Sequence, residues 1–121
     1  MIRQDWIMRQ IEALIQFVAR LIFKKDAIAY EIADPQSLGE TDLLHRRLLE
    51  LIAQNDFCAA EDLLHREYAS DDEGHILLAL DFYQRLNDID DGRLEAHDFS
   101  REEIHDGLRD ILRRSGIDLD A

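Results

Sequence analysis

The sequence has few of the residues that turn or cross-link a chain. Its 121 residues include five glycines, one proline and one cysteine, which leaves little room for the many turns of a β fold. The single cysteine, Cys58, excludes an internal disulfide and is compatible with a reducing cytosol. The length corresponds to one domain with a real core. We therefore predict an all-α fold: a single-domain bundle of about five helices.

The sequence also has no long uninterrupted apolar run. The most apolar stretch, MIRQDWIMRQIEALIQFVARLIFK at residues 1–24, contains the charged residues Arg9, Glu12 and Arg20. A membrane-spanning helix needs about 20 consecutive, mostly apolar residues. The interruptions exclude a spanning helix here, and they argue against a cleaved signal peptide.

Basic residues are scarce outside the first 25 positions. The net charge is −13, but residues 1–25 contain five basic and two acidic side chains, so this segment carries +3 and the remainder −16. An acidic body repels phosphates, which argues against nucleic acid as a partner.

Residues 1–24 are predicted to form a long amphipathic helix with a surplus of apolar surface. Ile7, Ile11, Leu14, Val18 and Leu21 recur at spacings of four and three, as on one face of a helix. Further apolar stripes lie on both sides, and one of them contains Ile2, Trp6, Ala13 and Phe17. The apolar arc spans about two-thirds of the circumference, against about 100° for an ordinary surface helix.

Three interpretations of this helix remain open. It can be a central core helix surrounded by the others, or it can pack on its own domain with one stripe and on a second copy with another. It can also lie on a membrane surface. The second interpretation predicts a homodimer with the contact residues Trp6, Ile7, Ile11, Leu14, Val18 and Leu21.

The rest of the chain divides into a connection at 25–40, a helical hairpin at 41–69 and C-terminal helices at 70–117. We expect Ile28, Tyr30 and Ile32 of the connection to lie across the core. Thr41, Ser70 and Ser100 are the predicted N-caps, and Ser70 and Ser100 have an acidic residue three positions later, as in a capping box. In the hairpin, Phe57, Ala60, Leu64 and Tyr68 form the predicted inner stripe.

The hairpin resembles a tetratricopeptide unit over AQNDFCAAEDLL, residues 53–64. Asn55-Asp56-Phe57 stands where the repeat has its Gly-Asp-Tyr turn, and Ala60 supplies the small residue for close helix contact. Arg47 and Leu48 depart from the repeat, and no second copy follows at a period of 34 residues. The resemblance therefore implies a single hairpin and no peptide-binding superhelix.

Three stretches, MIRQDWIMRQIE, ETDLLHRRLLELIAQ and LEAHDFSREEIHDGL, resemble a family of small uncharacterised bacterial helical proteins. This resemblance covers most of the chain. It implies an all-helical fold and a cytoplasmic location, and it implies no activity.

Acidic residues precede four of the five histidines by three positions, as in the Glu-x-x-His pairs of di-iron bundles. The pairs are Asp42–His45, Asp62–His65, Asp72–His75 and Glu102–His105. Most of them fall away from the predicted apolar faces, so we expect solvated acid–histidine pairs and no metal. Cys58 is expected to be a half-buried structural residue, because no histidine neighbours it in sequence to act as a base.

The sequence contains no phosphate-binding glycine loop, no serine nucleophile motif and no zinc spacing. We therefore predict no catalytic residues and no cofactor. The favoured function is a non-enzymatic interaction or scaffold protein that self-associates through its first helix. The alternatives are a peripheral membrane adaptor that uses the basic amphipathic helix, and a metal-binding carboxylate–histidine protein.

Overall fold

The computed structural model describes residues 2–117 and residue 119, and it describes side chains from Asp5 onward. The described residues form six α-helices and one π-helical turn, which confirms the all-α prediction. The α-helices are α1 (Ile2–Val18), α2 (Glu40–Ala53), α3 (Phe57–Glu67), α4 (Glu73–Asn87), α5 (Asp91–Ala96) and α6 (Arg101–Arg114), and the π turn spans Ala19–Phe23.

The central helix of the bundle is α4, not α1. Helices α1, α2 and α6 all pack against α4, and its buried residues run consecutively from Leu78 to Tyr83. A helix that is apolar all round needs neighbours on every side. The interpretation of residues 1–24 as the central core helix is therefore wrong, because α4 occupies that position.

Helix α1 buries one side and exposes the other. Its inner face packs on α4 and α6, while Trp6 and Phe17 remain exposed. At Ala19 the helix widens into the π turn, and the N–H of Lys24, in the left-handed conformation, bonds to the Ala19 carbonyl. A π turn holds more residues than an α turn. The inner face therefore continues through half-buried Ile22 and Phe23, and Leu21 is turned outward.

The connection between α1 and α2 is irregular over residues 24–39. Ile28 and Tyr30 pack against the core as predicted. Ile32 is 40 % exposed, so the expectation that it also crosses the core is wrong.

The hairpin has the predicted inner stripe, because Phe57, Ala60, Leu64 and Tyr68 are all buried. Two predicted caps are displaced. Helix α2 begins after Gly39, whose N–H donates to the Asp42 carboxylate, so Thr41 is not the N-cap.

Helix α4 begins after Asp72, whose carboxylate accepts the Gly74 N–H, so Ser70 is not the N-cap either. The Ser100 capping box is confirmed. Its hydroxyl accepts the Glu103 N–H, and the Glu103 carboxylate accepts the Ser100 N–H. At the start of both α2 and α4, an acidic side chain accepts a backbone N–H that the helix itself leaves without a partner. These acidic residues therefore set the positions where the two helices begin.

A buried arginine joins the C-terminal half of the bundle. Arg101 at the start of α6 is 2 % exposed. Its guanidinium donates to the Asn87 backbone and side-chain oxygens, to the Ile89 carbonyl and to Asp91. The Asn87 amide donates in turn to the Met8 carbonyl at 3.0 Å. One polar network thus ties α6 to α4, α5 and α1.

Candidate functional site

The six residues predicted to form the contact surface of α1 do not share one face. Ile7, Ile11 and Val18 are buried in the core of the single chain, at 8 %, 0 % and 0 % exposure. Leu14 packs half-buried against the same core. These four residues stabilise the bundle by facing α4 and α6, and in the folded chain they are not available to a partner. Only Trp6 and Leu21 of the six are exposed, at 59 % and 50 %.

The exposed apolar side chains of α1 lie on a second stripe, which we call the outer stripe: Trp6, Ala13, Phe17 and Leu21. Phe17 is 52 % exposed, and Ala13 between it and Trp6 is exposed as well. Spacings of seven and four residues keep Trp6, Ala13 and Phe17 on one side of a helix, and Leu21 in the π turn that follows is exposed as well. Ile2 was predicted on this stripe, but its side chain lies outside the described residues.

Positive charge borders the outer stripe. Arg9 and Arg20 are exposed and, at about 100° per residue, lie on the neighbouring strip of the helix. Arg20 is bound to Asp26 at 3.0 Å, and both side chains are mostly exposed, so this pair contributes little to stability. The outer stripe is therefore an apolar surface with exposed basic residues beside it.

A second group of candidate residues lies between α2 and α4. His45 is 6 % exposed, and its Nε2 lies 2.8 Å from Oδ2 of Asp81, which is 4 % exposed. Asp81 also accepts hydrogen bonds from Arg85 Nε and from the Tyr30 backbone N–H. The Tyr30 ring stacks on the imidazole at 4.4 Å between centroids. The expectation that His45 forms a solvated pair with Asp42 is wrong, because Asp42 binds the Tyr30 hydroxyl instead.

Burial and hydrogen bonding act in opposite directions on Asp81. Burial raises its pKa, but the hydrogen bonds from His45, Arg85 and the Tyr30 N–H together bring the pKa below the ordinary value. Asp81 is therefore an ionised acceptor within the core. A single Asp inside the apolar run of α4 is the sequence signal that could have located this network, since a buried charge requires a partner.

A third group joins α3, α4 and α6. The hydroxyl of buried Tyr83 donates to Glu61 at 2.6 Å and lies 2.7 Å from His65 Nε2. His65 Nδ1 is 3.4 Å from Asp110. Burial raises the pKa of Glu61 and lowers the pKa of His65. The prediction that the Asp62–His65 pair is solvated is wrong for His65, which is half-buried and binds Tyr83.

Metal binding and a reactive cysteine were the other kinds of chemistry considered from the sequence. In the described part of the chain, no three His, Cys, Asp or Glu side chains lie where they could share a metal ion. Cys58 is exposed and not half-buried. Partial burial and nearby carboxylates raise its pKa, which disfavours the thiolate that a nucleophile needs. Within the same residues, no helix is both long enough and apolar enough to cross a bilayer.

The fold defines a small all-α bundle with an exposed apolar stripe on its first helix, one buried histidine–carboxylate network around Asp81 and one half-buried network around Glu61. The chain belongs to DUF6483, a family of unknown function, whose sequence profile matches residues 1–116. No curated protein and no solved structure matches the chain.

Proposed function

We propose that this protein is a non-enzymatic interaction protein that self-associates in the cytoplasm, and that two copies meet through the outer stripe of α1. The observation that carries the proposal is the half-exposure of three large apolar side chains near one side of the first helix: Trp6, Phe17 and Leu21. Single exposed apolar residues are ordinary on a protein surface. A contiguous group on one side of a helix is typical of an interaction site.

The size of the outer stripe favours a reversible dimer. Half-exposed Trp, Phe and Leu side chains together offer about 300 Å² of apolar surface, the size of the largest patches on monomeric proteins. A stable interface buries about 800 Å² on each partner. Association through this stripe is therefore expected in the micromolar range and not as an obligate dimer.

The charge distribution favours a second copy of this chain as the partner that binds the outer stripe. The bodies of two copies repel each other, because residues 26–121 carry −16, whereas the segment that contains α1 carries +3. Contact through α1 brings together the two surfaces that repel least.

An antiparallel pairing centred on Ala13 places Trp6 opposite the partner's Arg20, next to the partner's Leu21. The same pairing places Asp5 opposite the partner's Leu21, next to the partner's Arg20. Ala13 then meets the partner's Ala13, where a small side chain allows the helices to approach closely. The contacts between different residues occur twice and the Ala13–Ala13 contact lies on the two-fold axis, as a symmetric interface requires.

Sedimentation velocity over a range of concentrations tests the proposal. We expect the wild type to shift from monomer to dimer in the micromolar range and Trp6→Gln/Phe17→Gln to remain monomeric. Leu43→Gln is the matched control, because Leu43 is an exposed apolar residue of similar exposure, 49 %, on α2. A folded wild-type monomer at all concentrations, or equal weakening by the control, contradicts the proposal. Substitutions at Ile11 or Val18 are unsuitable, since these residues belong to the core.

Cysteine cross-linking tests the antiparallel arrangement. In a Cys58→Ser background, Ala13→Cys should form a disulfide-linked dimer on mild oxidation. Gln16→Cys, on the exposed polar side of the same helix, should not. Equal cross-linking at both positions contradicts pairing through the outer stripe.

A membrane surface is the other occupant that this stripe could take, because aromatic and basic residues side by side also suit a lipid interface. Co-flotation with vesicles that contain anionic lipid separates the two. Binding of a monomer to vesicles at low salt, without dimerisation in solution, would replace self-association by the membrane-adaptor function.

A further inference from the structure

A groove lies on the outer side of α2, away from the outer stripe of α1. Its volume is about 510 Å³, within the range of small-molecule sites. Its walls are mostly apolar and come from one face of α2 and from the connection that precedes it. The residues that line the groove are Tyr30, Ile32, Asp42, His45, Arg46, Leu49, Glu50 and Ala53.

The His45 imidazole in this groove has a fixed orientation and a fixed hydrogen. Its Nε2 faces the Asp81 carboxylate at 2.8 Å, and its ring is stacked against Tyr30. Asp81 can only accept while it is ionised, so Nε2 must be the nitrogen that carries hydrogen. This arrangement of a carboxylate behind an imidazole sets the tautomer of the ring.

In the neutral imidazole the other ring nitrogen, Nδ1, is then an acceptor. In the part of the chain that the structure describes, no side chain or backbone group makes a hydrogen bond to it. Among those same residues, every fully enclosed side-chain nitrogen or oxygen has a partner, so His45 Nδ1 must retain contact with open space. His45 lines the groove, and the groove supplies that space.

The other polar groups of the groove are engaged or lie near its rim. The Tyr30 hydroxyl donates to Asp42 at 2.6 Å. Asp42 also accepts the Gly39 N–H, Glu50 lies 3.5 Å from Arg47, and Arg46 is exposed. A ligand would therefore meet mostly apolar walls, and His45 Nδ1 is an acceptor among them to which the described residues make no hydrogen bond.

We propose that this groove binds a small neutral ring compound with one hydrogen-bond donor, and that the donor bonds to His45 Nδ1 while the ring packs among Ile32, Leu49 and Ala53. The site is separate from the proposed dimer surface. Its occupation requires no change in association.

Titration with indole and 1-methylindole tests the inference, because the two probes share a ring and differ in the N–H donor. By NMR titration of the ¹⁵N-labelled chain, we expect indole to bind about 3- to 10-fold more tightly than 1-methylindole. We also expect indole to shift the His45 Nδ1 resonance. His45→Phe should bind both probes equally. His97→Gln, a substitution at an exposed histidine, should keep the preference.

Equal affinity of the wild type for the two probes, or no binding of indole at millimolar concentration, overturns the inference. A preference for indole that survives in His45→Phe overturns it too. If His45→Phe does not fold, Ile32→Glu serves instead, because Ile32 is 40 % exposed and its replacement leaves the core intact. That variant should lose at least 5-fold in affinity for indole, and unchanged binding would exclude this groove as the site.

Discussion

Gly107 of α6 lies directly against the Glu61 carboxylate of α3, with no room between them for a methyl group. A Cβ at position 107 would overlap Glu61 Oε2 and lie 2.5 Å from the buried Tyr83 hydroxyl. The Glu61–Tyr83 hydrogen bond therefore occupies the space that a side chain on α6 would need.

Gly107→Ala should destabilise the fold. Alanine gains about 1 kcal/mol over glycine inside a helix, but overpacking costs about 1–3 kcal/mol, and Tyr83 is fully buried and cannot move aside. Urea unfolding measures the net change. In a Glu61→Ala/Tyr83→Phe background the same substitution should become stabilising. A stabilising Gly107→Ala in the wild type would contradict the contact.

Glu61 should make the fold less stable as pH rises. Burial raises its pKa above the ordinary 4.5 despite the hydrogen bond from Tyr83. The folded state then binds more protons than the unfolded state, so the free energy of unfolding falls as pH increases from about 4.5 through the raised pKa. Glu61→Gln keeps an acceptor for Tyr83 and removes this titration.

We therefore expect the stability of Glu61→Gln relative to the wild type to increase over that pH window and to level off above it. Urea midpoints at several pH values measure the difference. Glu50→Gln, at an exposed carboxylate, controls for the loss of one negative charge. A relative stability that decreases with pH would reverse the sign of the shift.

Arg101→Lys should be costly although it keeps the charge. The guanidinium of Arg101 satisfies four acceptors at the junction of α4, α5 and α6, and an ammonium group cannot reproduce this planar fork. Buried acceptors left unpaired cost about 1–3 kcal/mol each. We expect a loss of at least about 2 kcal/mol in urea unfolding. Arg47→Lys, at an exposed arginine that lies 3.5 Å from Glu50, should change stability by less than about 0.5 kcal/mol; similar losses in both variants would contradict the assigned role.

Trp6 is the only tryptophan in the sequence, and it reports directly on the proposed interface. Its indole is 59 % exposed in the single chain, and dimerisation would remove it from water. The fluorescence maximum should shift to shorter wavelength as concentration rises. Phe17→Gln should abolish the shift and Leu43→Gln should retain it. A maximum that does not move while sedimentation shows dimers would place the contact elsewhere.

Local signals in the sequence predicted much of the fold. The start of α6 is one example: the Ser100 hydroxyl accepts the Glu103 N–H and the Glu103 carboxylate accepts the Ser100 N–H, as the predicted capping box requires. The inner stripe of α3 is another. In both cases neighbours within a few residues determine the structure, so the pattern can be read from one segment.

Sequence reasoning missed two kinds of feature. Some are contacts between residues far apart in the chain, and others depend on which of several similar neighbouring stripes or caps the structure uses. His45 and Asp81 are 36 positions apart, and no local pattern pairs them. The heptad spacing of α1 continues to Leu21, but the π turn after Val18 breaks the register. The apolar surplus of α1 was visible in the sequence. Which stripe meets the core and which one stays outside is decided by the packing of α4 and α6 against it.

The central position of α4 affects when the chain can fold during its synthesis. Helix α1 packs on α4 and α6, and α6 ends at Arg114, so the inner face of the first helix has no complete partner until α6 has been made. Ile7, Ile11 and Val18 must leave the ribosome uncovered. The nascent chain is therefore expected to need protection from aggregation until α6 emerges, and the bundle should form as one unit once α6 is available.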